Sequence, residues 1–165
     1  MDVVRLIDKT SIDLIDISGG TYFPGAESSS EGSKEGPYFI DFAKLAKEIT
    51  EIPLMVTGGF KRKDQAVNAI ASGAVDIISM GRAMAINPKL AKTWLSGEDY
   101  DPVFPRFKDV IPGGITAWYT MRLIALGEDK ENDFELDLPT AIQKYEQRDA
   151  QRCGRWLKKF SSLNS

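Results

Sequence analysis

Three short apolar runs, each closed by glycine at its carboxyl end, limit what this chain can fold into. They are Ile12-Asp13-Leu14-Ile15-Asp16-Ile17-Ser18 before Gly19-Gly20, Ile52-Pro53-Leu54-Met55-Val56-Thr57 before Gly58-Gly59, and Val75-Asp76-Ile77-Ile78-Ser79-Met80 before Gly81-Arg82. Brief apolar runs of this kind read as buried parallel strands. Pro53 falls near a strand start, where a missing amide donor is tolerated. Helical spacing fills the intervals. Phe39, Phe42, Ala43, Ala46 and Ile49 recur every three or four residues, with Lys44, Lys47 and Glu48 on the other side. Ala66, Val67 and Ile70 mark a shorter helix that Gly73 stops. Asn87 and Pro88 read as the N-cap and first position of a helix through Leu90, Ala91, Trp94 and Leu95. Strand and helix thus alternate three times, which predicts an α/β fold with right-handed crossovers and a parallel sheet.

Composition narrows the chemistry. The 165 residues include no histidine, so Ser-His-Asp hydrolysis, Cys-His catalysis and His-ligated zinc or haem cannot be built from this chain alone. Its single cysteine, Cys153, excludes an intramolecular disulfide and a CxxC site, and fits a reducing cytoplasm. Cys153 sits among Arg148, Arg152 and Arg155 on an amphipathic helix, where a half-buried, inert thiol is expected. With 21 basic against 24 acidic residues, the formal charge of −3 gives no footprint for nucleic acid or anionic lipid, and neither partner is expected. Residues 1–6 carry no basic, apolar leader pattern, and no run approaches the roughly 20 apolar residues that span a bilayer. A soluble cytoplasmic protein is expected.

Beyond Gly97 the pattern changes. Pro102, Pro105 and Pro112 predict an irregular connection from Tyr100 to Gly114. Two helices are then expected. Ile115, Trp118, Tyr119, Arg122, Leu123 and Leu126 share the face of one; Ile142, Tyr145, Trp156 and Phe160 share that of the next. Their aromatics are expected to pack in a core, with the acidic stretch 128–137 as a solvated connector.

The strand tips carry the functional signal. In parallel α/β folds ligands bind at the carboxyl edge of the sheet. Glycine there allows positive φ and close backbone approach, so amide groups can converge on an anion. Gly58-Gly59 leads into a helix starting near Lys63-Asp64, whose dipole is expected to add to the attraction for phosphate. Arg82 directly follows Gly81, and a guanidinium at a tip can hold phosphate through two parallel hydrogen bonds. Phe60 either lines a flat cofactor or anchors the following helix. Asp13 and Asp76 open their strands, away from this edge, and are expected to be structural. Asp16 has no acid/base partner in view. The polar segment from Thr21 to Pro37 reads either as a ligand loop, with Tyr22 and Phe23 near substrate, or as plain surface.

These three glycine-tipped runs, with Ala85-Ile86-Asn87-Pro88 after the Gly81-Arg82 step, resemble the Old Yellow Enzyme-like NADH:flavin oxidoreductases. Members of that family are FMN-dependent TIM barrels that reduce activated alkenes or related acceptors with NAD(P)H. The resemblance implies that residues 1–97 form the sixth to eighth β/α units of a TIM (β/α)8 barrel, and that 98–165 form a helical extension packing on it. It also implies that Gly58, Gly59, Phe60, Gly81 and Arg82 bind FMN, the backbone amides and Arg82 at its phosphate and the Phe60 ring near the flavin edge, and that Ser18-Gly19-Gly20 borders the substrate opening. The family's catalytic His-His or His-Asn pair and its tyrosine belong to an earlier strand.

The expectation is therefore an FMN-binding portion of an oxidoreductase that is inactive alone. Three parallel strands leave two unpaired edges and a lining face with no opposite wall, so an N-terminal half-barrel chain or self-association is expected as partner. The alternatives are a non-catalytic remnant or binding module, and half of a different phosphate-binding TIM-barrel enzyme.

Overall fold

The computed structural model describes residues 1–19, 36–109 and 111–161. The expected ligand loop, with Tyr22 and Phe23, lies outside the described residues apart from its end at Gly36 and Pro37, as does Gly20 of the expected substrate border. The chain divides into two units, Met1–Pro105 and Arg106–Ser165.

The first unit runs α1 (Asp2–Ile7), β1 (Ile15–Ile17), α2 (Ile40–Lys47), β2 (Leu54–Thr57), α3 (Lys63–Ala71), β3 (Ile77–Ser79), α4 (Arg82–Ile86) and α5 (Leu90–Leu95). The strands pair in parallel in the order β1-β2-β3, with Ile17 beside Val56 and Val56 beside Ile78. Each strand is shorter than its apolar run. Pro53 lies just before β2, where its carbonyl accepts from the Ile15 amide at 3.0 Å while its own missing donor breaks nothing.

Register sorts the strand side chains into two sets. Ile15, Ile17, Leu54, Val56 and Ile78 join one apolar core with Ala43 and Ala46 of α2 and Ala69 of α3. Asp16, Met55, Thr57, Ile77 and Ser79 belong to the opposite face, which is exposed or half-exposed. Buried strands with one lining face lacking an opposite wall were expected, and these are covered on one face. The cause is topological. Right-handed crossovers that always advance in one direction deliver every helix to the same side of the sheet.

The helices also differ in detail from their apolar spacing. Alanines meet the sheet, whereas Phe42 of α2 and Val67 and Ile70 of α3 remain substantially exposed. Three strands are too narrow to cover those larger flanking side chains. Val67 and Ile70, with Ile78, Met80, Trp94 and Leu95, line an open apolar trough of about 490 Å³. Gly73 stops α3 as expected, at φ +71°. Asn87 does not open α5: it ends α4, and its Oδ1 accepts from the Lys89 amide in a turn, so α5 begins at Leu90. Between Tyr100 and Gly113 the described residues carry no regular helix or strand.

In the second unit, α6 (Gly114–Gly127) leads through a 3-10 turn at Glu131–Asp133 to α7 (Leu138–Phe160). Asp137 caps α7 by accepting from the Thr140 amide at 2.8 Å, and Pro139 occupies the first turn. Gly114 fits against Leu138, whose Cβ would lie 3.3 Å from an added methyl. Trp118 is buried, donates its indole N–H to the Leu136 carbonyl at 3.0 Å, and meets Phe107, Tyr119 and Phe134 edge-on. Two expected core residues are not core. Leu123 and Trp156 are exposed, because the buried part of α7 is its first turn, at Leu138 and Ala141. Among the described residues no helix is long and apolar enough to cross a membrane.

Candidate functional site

The carboxyl ends of β2 and β3 enclose a cavity of about 190 Å³. One wall is Thr57, Gly58, Gly59, Phe60 and Lys61; the other is Ser79, Met80, Gly81, Arg82 and Ala83, with Phe104 at the margin. All five residues singled out in the sequence, Gly58, Gly59, Phe60, Gly81 and Arg82, line this one space. The parallel pairing of Thr57 with Ser79 sets the two tips level, so both turns open at the same height.

The two glycine tips are built for different reasons. Gly58 and Gly59 hold φ of +118° and +83°, and a Cβ on Gly59 would stand 2.1 Å from the Gly36 carbonyl oxygen. Their glycine character is demanded by the backbone and by the chain lying across them. Gly81 has φ −87°, and a Cβ there would meet nothing within 4 Å. Neither strain nor packing requires glycine at that position. It caps the short α4 without any side-chain cap.

Charge at the cavity comes from Arg82 and Lys61. Arg82 is half-buried and directs Nη2 to the Tyr38 hydroxyl at 3.4 Å, while the Tyr38 ring lies against Gly58. The Lys61 ammonium stands 6.0 Å from the Phe104 ring centroid. Among the described residues, the backbone amides of Gly59, Phe60 and Gly81 donate to no carbonyl. Phe60 is only 4% exposed and belongs to the apolar core, so its ring is held by packing and its amide is what it offers a ligand.

Sequence reasoning did not single out Lys61, Tyr38 or Phe104. A basic residue directly after the Gly58-Gly59-Phe60 turn was a readable signal for the first. Nothing local marks Tyr38 or Phe104, which the tertiary fold brings to the cavity. The expected contribution of the α3 dipole is corrected. Within its first turn the Lys63 amide donates to Asp101 at 2.7 Å and the Gln65 amide to Asp64 at 2.8 Å, while Gln65 Oε1 accepts from Lys61 and Arg62 just before the helix. Asp64, in the same turn, is held below the ordinary carboxylate range by its hydrogen bond from Arg62, and adds negative charge there.

The other carboxylates are structural. Asp76, at the opposite end of the sheet, accepts from the Leu54 amide at 2.7 Å and pairs with Lys47 at 2.7 Å. The Lys47 hydrogen bond, then the amide, lowers its pKa. Asp16 accepts from Thr57 Oγ1 at 2.8 Å across the uncovered face. Cys153 is exposed rather than half-buried, since α7 presents its last turns to solvent. Among the described residues no cluster of acidic or cysteine side chains could hold a metal ion.

No family model matches the chain. Curated proteins do. NADH-dependent flavin oxidoreductase iliE of Hypocrea jecorina is 34% identical over 99 residues, covering 54% of this chain and 25% of that protein. The protein of the same name from Neonectria sp. is 32% identical over 130 residues, covering 72% of this chain and 17% of its own length. NADH-dependent flavin oxidoreductase iccE of Talaromyces variabilis is 31% identical over 102 residues, 56% of this chain and 25% of that protein. The chain spans a quarter or less of the relatives it matches. Over that span it is a homologue of NADH-dependent flavin oxidoreductases, as the glycine-tipped strands imply.

Proposed function

We propose that this chain, a relative of NADH-dependent flavin oxidoreductases, supplies the FMN-phosphate clamp of such an enzyme, with residues 1–97 as the sixth to eighth β/α units of a TIM barrel and 98–165 as a helical extension. The observation that carries the reading is the convergence of the Gly58-Gly59-Phe60 and Gly81-Arg82 turns on one small cavity. The donor set fits a phosphate monoester. Arg82 offers a guanidinium fork, Lys61 a second positive charge, and Gly59, Phe60 and Gly81 amides without an internal acceptor. Gly81 leaves open the space that a Cβ would fill. TIM barrels build phosphate sites from the loops after strands seven and eight and the start of a short extra helix, and the short α4 directly after β3 supports that reading. A sheet with α2 and α3 packed on one face, and the opposite face exposed among the described residues, supports a barrel segment over a doubly wound sheet, which carries helices on both.

When bound, FMN supplies hydride transfer from NAD(P)H to a small electron-poor acceptor. This chain's part is to bind and orient. Arg82 and the tip amides fix the phosphate end, and Tyr38 holds the guanidinium against the turn. Substrate protonation and polarisation fall to residues outside this sequence, which has no histidine to offer. Among the described residues one face of the sheet is uncovered and β1 and β3 are its edge strands, which supports a complementary half-barrel, or a second copy, as partner. On this reading the chain is cytoplasmic and does not turn over substrate by itself.

The test is equilibrium dialysis against FMN and riboflavin, which share the ring and differ in the phosphate. FMN retained in preference to riboflavin, and released by Arg82→Ala, supports the clamp. Equal retention of the two flavins contradicts it.

A further inference from the structure

We propose that the last turns of α7, residues 150–160, form an in-plane binding element for an anionic lipid surface. The sequence Ala-Gln-Arg-Cys-Gly-Arg-Trp-Leu-Lys-Lys-Phe holds four cations, Arg152, Arg155, Lys158 and Lys159, within a chain of formal charge −3; Asp149, just before it, stands 3.9 Å from Arg152. The even-handed overall charge hides this concentration. Cys153, Trp156, Leu157 and Phe160 follow the i, i+3, i+4, i+7 spacing and occupy an arc of about 100° at 100° per residue. The four cations fill a separate sector of the wheel. The segment is helical through Phe160, and its residues are exposed apart from the half-buried Phe160, with Trp156 61% and Leu157 54% accessible.

An apolar stripe left in water, ringed by one sign of charge, calls for a partner that is apolar in its interior and negative at its rim. An anionic bilayer surface has that layering. The Trp156 and Phe160 rings lie 5.0 Å apart, and the Lys159 ammonium stands 5.6 Å from the Phe160 ring centroid. Aromatic rings bordered by a cation suit the headgroup boundary, where the rings lie in the interface and the ammonium reaches the phosphate layer. The helical stretch is about 16 Å long, enough to lie along a surface and too short to cross it. A second copy is disfavoured, because it would bring four more cations against these four. Gly154 sits in open space within this helix and weakens it in water, so binding is expected to firm the last turns.

The test is co-sedimentation of the full chain with vesicles of equal parts phosphatidylserine and phosphatidylcholine, against vesicles of phosphatidylcholine alone. The expected result is binding to the first only, reversed by salt, with a blue shift of tryptophan emission that Trp156→Phe removes while binding persists. Arg155→Glu with Lys158→Glu is expected to weaken binding about tenfold or more. Both residues are exposed and make no core contact, so folding is retained. Failure to bind anionic vesicles overturns the proposal, as does binding that the charge reversal leaves intact. Dimerisation abolished by Trp156→Ala without vesicle binding assigns the face to a second copy. Binding to soluble polyglutamate but not to vesicles assigns it to an acidic protein. Either result overturns the lipid assignment.

Discussion

The tips of β2 and β3 look alike in sequence and differ in what enforces them. At Gly58-Gly59 the fold itself forbids a side chain: both residues lie at positive φ, and the Gly36 carbonyl crosses 2.1 Å from where the Gly59 Cβ would be. At Gly81 the backbone is ordinary and the space beyond is open. A glycine that the fold does not need, beside Arg82 in a cavity, is the stronger pointer to a ligand. A glycine that the fold requires is equally compatible with plain architecture.

Mutations can break that contrast. The largest effect is expected from Gly59→Ala, which combines positive-φ strain with a backbone clash. A loss of about 3 kcal/mol in the first unit is predicted, read by chemical denaturation. A near-neutral result would mean that the chain across the tip moves freely. Arg82→Ala comes next and acts on a different quantity. FMN affinity should fall by about ten- to a hundredfold, the worth of a charge-assisted hydrogen bond, with little change in stability. Gly81→Ala sharpens the comparison most. The residue's φ of −87° accepts alanine, so the denaturation midpoint should hold while, on the proposed reading, FMN affinity drops about tenfold as a methyl enters the cavity. Loss of stability without loss of affinity would reverse the roles given to the two tips.

The smallest effect lies at the amino end of the same strands. Asp76 binds Lys47 and the Leu54 amide, so its folded pKa lies below the ordinary 3.8. A depressed carboxylate stabilises the fold above the unfolded pKa, and that contribution is lost as pH falls through the folded one. Asp76→Asn should therefore lower stability slightly at neutral pH, and the gap should close below about pH 3.8. Partial exposure and solvent screening keep the effect small. FMN binding should not change.

Much of the first unit was legible because hydrophobic runs and glycine punctuation are local signals. The three strands, the stop at Gly73 and the five cavity residues all follow from them. What the sequence hid is set by tertiary width and topology. Phe42, Val67 and Ile70 have core spacing, but a three-stranded sheet covers only the small residues of α2 and α3. Asn87 has the chemistry of an N-cap, yet α4, starting at Arg82, uses it as an end. The α3 N-terminus seemed free until Asp101, 38 positions away, turned out to occupy it. Tyr38 is the clearest case. No pattern near it points to Arg82, and only the path of the chain over Gly58 brings the two together.

The central claim is that both tips hold one phosphate. The most direct measurement is an amide nuclear magnetic resonance titration of the full chain with FMN, with riboflavin and inorganic phosphate as controls. The account predicts that the amides of Gly59, Phe60 and Gly81 shift together with FMN and with phosphate, along one binding curve, and stay in place with riboflavin. Shifts confined to one tip, or shifts that riboflavin reproduces, would contradict it.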